Sequence, residues 1–190
     1  GCAFVGGINL NPHSVVAPGH RGAEQNHDIY VEVSGPAVTD IHHNFVQRWN
    51  EASERQETDG RWGPDADRDL GFPTEVAAAR GLAVVQVQRT IQAGRYTDTR
   101  PVPDGTPFAI AGGEFSNRDQ YIQAIRAARE CIYLENQAIS VQPILDELVG
   151  AIGRGVAVVL VAPSTASSID APADGRTGLF RDERRALARS

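Results

Sequence analysis

Over residues 28–34 apolar and polar positions alternate: Ile29, Val31 and Val33 fall on one side, Tyr30, Glu32 and Ser34 on the other. That period of two predicts a half-buried strand. Residues 1–10 form a short apolar stretch broken by Gly6-Gly7, which predicts a buried strand running into a tight turn. Residues 11–26 between them, with Pro12, Pro18, Gly19 and Gly22, read as loop. After Gly35-Pro36 the period changes. Val38, Ile41, Phe45 and Trp49 recur at spacings of three and four, which predicts a helix with a core-facing stripe and proline in its first turn. Residues 51–74 are polar and broken by Gly60, Gly63, Pro64, Gly71 and Pro73, the pattern of a long surface excursion. Residues 82–90 read as another strand.

Between residues 94 and 113 the chain becomes rich in proline and glycine, and an internal boundary is placed there, dividing residues 1–105 from 106–190. Beyond it Asn117 is a predicted N-cap for a helix carrying Tyr121, Ile122, Ile125 and Ala128. Residues 131–134 read as a strand in which Cys131 is a small buried thiol. Ser140 and Pro143 open a second helix, with Ile144, Leu145, Leu148 and Ile152 inward and Gly153 and Gly155 at its end. Residues 156–161 are continuously apolar, as in a parallel strand covered on both faces. Residues 164–178 read as a small-residue loop. Residues 179–190 read as an Arg-rich amphipathic helix with Leu179, Phe180 and Leu187 on its inner side. The fold class is α/β.

Composition narrows the chemistry. All 18 basic residues are arginine, so lysine-dependent mechanisms have no lysine to use within these 190 residues. Without methionine there is no initiator either, and the chain is expected to begin inside a longer polypeptide. A net charge of −6 leaves no electrostatic footprint for nucleic acid, so no such partner is expected. Two cysteines make no disulfide framework. No apolar run approaches the ~18 residues of a membrane span.

Three places could carry chemistry. Glu135-Asn136-Gln137 follows directly on an apolar strand, at the end where open α/β sheets bind ligands; a polar strand-to-loop transition would look the same. Gly6-Gly7-Ile8-Asn9 would let backbone N–H groups approach an anion and supply an asparagine donor, though plain turns share the pattern. In His27-Asp28 a carboxylate at the mouth of a strand could orient a histidine from elsewhere, or merely cap the strand. His42-His43 reads as structural or surface. His13 and His20 have no partners at ligand spacing, so no metal or other cofactor is indicated.

In their order and spacing these segments resemble the phospholipase D superfamily. In that family an H-x-K-x4-D motif is followed by a strand ending in G-G/S-x-N, and residues 3–10 look like that trailing segment. His27-Asp28, then Val31, Val33, Gly35-Pro36-Ala37-Val38 and the run Phe45-Val46-Gln47-Arg48-Trp49-Asn50, are similar to its next block. Gly113-Glu114, Tyr121, Ala124-Ile125, Ala128 and Ile132 to Gln137 look like the lead-in to its second half, continued by Arg154-Gly155-Val156. The E-N-Q tripeptide points to phospholipase D proper. Ala138-Ile139 stands where the family typically has two aromatics.

The resemblance implies an αβαβα sandwich, with incomplete parts of two pseudo-symmetric lobes and mixed, largely parallel sheets. Residues 1–105 would end the first lobe and 106–190 would begin the second, with the two H-x-K-x4-D motifs lying outside the window on either side. It further implies hydrolysis or transphosphatidylation of glycerophospholipids at a membrane surface through a phosphohistidine, without a metal. Asn9 would contact phosphate with Gly6 and Gly7, Asp28 would orient a catalytic histidine, and Glu135, Asn136 and Gln137 would line the substrate site. The expected partners are a phospholipid and the rest of the same polypeptide. A cardiolipin synthase-type phosphatidyltransferase and a non-catalytic binding module remain the alternatives.

Overall fold

The computed structural model describes residues 1–7, 28–54, 69–136 and 141–162. Asn9, His27 and Gln137, the loop at 164–178 and the helix expected at 179–190 lie outside the described residues. The chain is mixed α/β, in two compact units. One unit comprises Gly1–Val87 with Ile91–Glu114, the other Gln88–Thr90 with Phe115–Ser190.

In the first unit, β1 (Cys2–Gly6) and β2 (Tyr30–Ser34) form an antiparallel ribbon running from Cys2 opposite Ser34 to Gly6 opposite Tyr30. Both strands were expected to be buried or half-buried, yet Phe4, Val5, Tyr30 and Val31 are exposed, and only Ala3 and Val33 are partly covered. Two strands offer too little surface to enclose side chains on both faces. The chain turns at Gly35, which has φ +103° and packs against the backbone of Arg80. Glycine adopts that conformation without strain.

Helix α1 (Ala37–Glu54) follows, with Asp40 in the first turn favouring the positive end of its dipole. Its orientation corrects the sequence reading. Val38, Ile41 and Trp49 are half-buried and Phe45 is exposed, whereas Thr39, His43, Val46, Gln47, Asn50 and Glu51 are buried. The loops laid against this face carry backbone groups that need partners. Thr39 Oγ1 accepts the Ala77 N–H at 2.9 Å, and Gln47 Nε2 donates to the Asp98 carbonyl at 2.6 Å. Asn50 closes a two-way bond with the Leu70 backbone at 3.1 and 2.8 Å. Glu51 Oε1 accepts the N–H groups of Thr97 and Asp98. His43 lies against Phe72 and Phe108, with centroid distances of 4.7 and 5.5 Å. The surface excursion expected over 51–74 therefore loses both described ends: residues 51–54 are helical, and 70–72 pack against the helix.

The strand expected over 82–90 is absent apart from its last residue. Residues 82–89 form no ladder, with Leu82 and Val84 fully exposed, and only Thr90 enters the two-residue β3 (Thr90–Ile91). Apolar alternation makes a strand only where a neighbour pairs with it.

The second unit is built from α2 (Ser116–Ala127), β5 (Cys131–Glu135), α3 (Gln142–Gly153) and β6 (Ala157–Val161), with β4 (Glu114–Phe115) where the chain enters it. Asn117 does not cap α2: the N-cap is Phe115, and Asn117 Nδ2 instead donates to Thr90 Oγ1 at 3.2 Å. Ser116 Oγ exchanges hydrogen bonds with the Arg89 backbone at 2.9 Å in both directions. β5 and β6 pair in parallel, Cys131 opposite Ala157 through Glu135 opposite Val161, and α3 is their crossover. Ile125, Leu148, Ala151 and Val156 form the core, with Ile132, Leu134 and Val158 packed onto it. One sheet face is thus covered. The alternate positions point away from the helices, so Cys131 is exposed rather than buried, and β6 is covered on one face instead of both.

Candidate functional site

The sequence-predicted residues fall into two groups, one in each unit. In the first, the β1–β2 register carries Gly6 opposite Tyr30, and the next step of the ribbon brings Gly7 beside Asp28. A Cβ on Gly6 would sit 2.6 Å from Tyr30 Cβ and 2.7 Å from the Ile29 carbonyl, and a Cβ on Gly7 would collide with Asp28 Oδ2. Close approach of backbone requires glycine at position 6, whereas at Gly7 only the end of the Asp28 side chain would have to move. Two features that read as separate in the sequence, the Gly-Gly turn and the carboxylate 21 positions later, form one local structure. Asp28 Oδ1 accepts the N–H of Ile29 at 2.7 Å, which fixes the carboxylate at the mouth of β2. Its exposed position leaves it able to accept an imidazole N–H.

In the second group, Glu135 ends β5 and Asn136 follows it, held by its backbone N–H donating to the Val161 carbonyl at 3.0 Å. The tripeptide thus starts at the C-terminal edge of a parallel pair, where strand ends present ligand-binding groups. Sequence reasoning missed Tyr133. Its hydroxyl donates to Glu135 Oε2 at 3.2 Å, and the negative charge of Glu135, with lesser contributions from burial and the hydrogen bond itself, raises the phenol above its ordinary pKa of 10.0. The signal was available, since residues two apart on a strand share a face.

Behind this edge α2 and α3 are clamped by charge. Arg126 Nη2 pairs with Glu147 Oε1, and Arg126 Nε donates to the same oxygen at 2.9 Å. The hydrogen bond from Arg126 holds the Glu147 carboxyl below its usual range. Arg154 Nη2 reaches the Ile125 carbonyl at 2.9 Å and ties the end of α3 to α2. No helix among the described residues is long and apolar enough to cross a membrane.

Comparison with known proteins gives the arrangement a context. The family profile described as Phospholipase D matches residues 9–140. Phospholipase D alpha 2 of Oryza sativa subsp. japonica is 33% identical over 138 residues, 68% of this chain and 16% of that protein. Phospholipase D alpha 4 of Arabidopsis thaliana is 34% identical over 111 residues, 58% of this chain and 13% of that protein. Phospholipase D gamma 3 of Arabidopsis thaliana is 28% identical over 146 residues, 67% of this chain and 17% of that protein. The chain therefore spans about a sixth of the length of such relatives.

Proposed function

Because the chain belongs to the phospholipase D family, we propose that it is the supporting part of a phosphodiesterase centre whose reacting residues lie outside these 190. The whole enzyme would hydrolyse or transphosphatidylate glycerophospholipids of the phosphatidylcholine type at a membrane surface. One histidine attacks phosphorus and expels the head-group alcohol, which takes its proton from a second histidine. Water or a competing alcohol then releases the phosphatidyl group from the phosphohistidine. In this reading residues 1–105 close a first lobe and 106–190 open a second.

The roles proposed within the chain are those the family resemblance implies. Asp28 orients one catalytic histidine by accepting its ring N–H. Gly6, Gly7 and Asn9 face the phosphate, and Glu135, Asn136 and Gln137 line the substrate site. The observation that carries the reading is the family match over residues 9–140 in a chain with no lysine at all. A phosphate site built on H-x-K pairs must take its lysines from elsewhere.

Choline release from phosphatidylcholine vesicles tests it. The 190-residue chain alone is expected to release none. In a longer polypeptide carrying both H-x-K-x4-D motifs, Asp28→Asn is expected to lower turnover on the order of 100-fold or more while leaving vesicle binding unchanged. Full turnover with Asp28→Asn would remove Asp28 from the mechanism.

A further inference from the structure

The buried polar face of α1 has a histidine near its middle. His43 is 1% exposed, and its ring lies against Phe72 and Phe108 at centroid distances of 4.7 and 5.5 Å. Arg100 stands over the same Phe72 ring at 4.5 Å and pairs with Asp98 at 3.5 Å. Phe108 is tied to that segment in turn, its N–H donating to the Thr99 carbonyl at 2.9 Å. His43 is therefore placed where the stretches at 70–72, 97–100 and 108 come together on the helix. Its neighbours on α1 hold the same stretches by their backbone: Asn50 accepts the Leu70 N–H, and Glu51 those of Thr97 and Asp98. The chemistry proposed above makes no use of this histidine.

We propose that His43 is a pH-sensitive latch: its neutral imidazole keeps residues 70–72, 97–100 and Phe108 on α1, and protonation releases them. An imidazolium here would be held out of water against two hydrocarbon rings. A ring face returns part of that cost to a cation, but burying an ion costs more than such a contact restores. The Phe72 ring also already serves Arg100, a like charge. Of the charged groups on the packed segments, Asp40 and Arg48 on α1, Asp69 beside Leu70 and Asp104 ahead of Phe108 are exposed to water. Glu51 is buried two turns along α1 with Oε1 engaged by two amides, and Asp98 faces Arg100. The sign follows from this burial. A released imidazole takes up a proton more readily than a docked one, so docking is complete above the free histidine value of about 6.5 and is lost as pH falls below it. α1 also packs on β1 and β2, so the latch bears on the strands beside Gly6 and Asp28. The inference does not depend on the chemistry proposed above.

Amide hydrogen exchange, read by NMR at about pH 7.5 and about pH 5.5 and corrected for its intrinsic pH dependence, tests the latch on the 190-residue chain. The Leu70, Thr97 and Asp98 amides are expected to lose roughly tenfold in protection at the lower pH, the ratio set by an imidazole that titrates near 6.5 once released. In His43→Phe, which keeps an aromatic ring that cannot take up a proton, their protection should be equal at the two pH values. The Asn136 amide, bonded to the Val161 carbonyl in the other unit, is the control and should hold in both proteins. Unchanged protection in the parent, or the same loss in parent and variant, would overturn the proposal. So would loss at Asn136 alongside the others, which would mean general acid unfolding. Should His43→Phe fail to fold, NMR titration of the His43 ring in the parent decides. A midpoint below about 6.5 that coincides with the loss of protection supports the latch, and any other result overturns it.

Discussion

Asp28 places a carboxylate oxygen in the space that a Cβ on Gly7 would fill. A residue expected to position a histidine and a glycine expected to admit phosphate are thereby neighbours in one local structure. Gly7→Ala is expected to displace the Asp28 carboxylate at little cost in stability, whereas Gly6→Ala, whose Cβ would meet Tyr30 Cβ and the Ile29 carbonyl, is expected to destabilise the first unit by about 1–3 kcal/mol. Chemical denaturation followed by circular dichroism measures this. Gly112, where a Cβ would meet nothing within 4 Å, is the control, and Gly112→Ala should lie close to the parent.

Glu51 is the buried end of the polar face of α1, and its Oε1 holds two backbone N–H groups. Glu51→Ala leaves Thr97 and Asp98 without that acceptor, at a cost of about 1–3 kcal/mol. Exposed Arg48 one turn back provides the comparison, and Arg48→Ala should change the denaturation midpoint little.

Tyr133 should titrate above the ordinary tyrosine value because Glu135 stands beside it. Since the folded-state value is the higher one, the contribution to stability is present at neutral pH and lost as pH rises through the raised value. Glu135→Gln removes the charge and should bring the phenol back toward 10.0. Ultraviolet difference titration at the phenolate band reads both; identical curves would show that the pair is not formed.

Glu147 gives the opposite sign. Arg126 lowers its carboxyl, so the stabilisation is present above the unfolded carboxylate value of about 4.3 and disappears as pH falls through the lowered one. Carbon-detected NMR titration of Glu147 should show the depressed midpoint, and Arg126→Gln should move it upward.

The part of the fold legible in the sequence was the part ruled by local pattern. The β5–α3–β6 unit followed from a helical stripe at Leu145 and Leu148 between two apolar runs, and the structure has it as a parallel pair with its crossover helix. Patterns that depend on what packs against them read less well. The Val38–Ile41–Phe45–Trp49 stripe promised an apolar inner face, but loops bearing unpaired peptide groups chose the Thr39–Gln47–Asn50 face instead. Residues 82–89 alternate like a strand and enter no ladder among the described residues. The Gly-Gly turn and Asp28 could each be seen in the sequence; their contact could not, because it depends on the register that sets Gly6 opposite Tyr30.

The central claim is that this chain supports a phosphohistidine centre without containing its nucleophile. Trapping the acid-labile phosphoenzyme in the longer polypeptide, with a labelled phospholipid, and mapping the modified histidine by mass spectrometry tests that most directly. The predicted label falls on a histidine outside residues 1–190. A label on His13, His20, His27, His42 or His43, the five histidines of the chain, would contradict it.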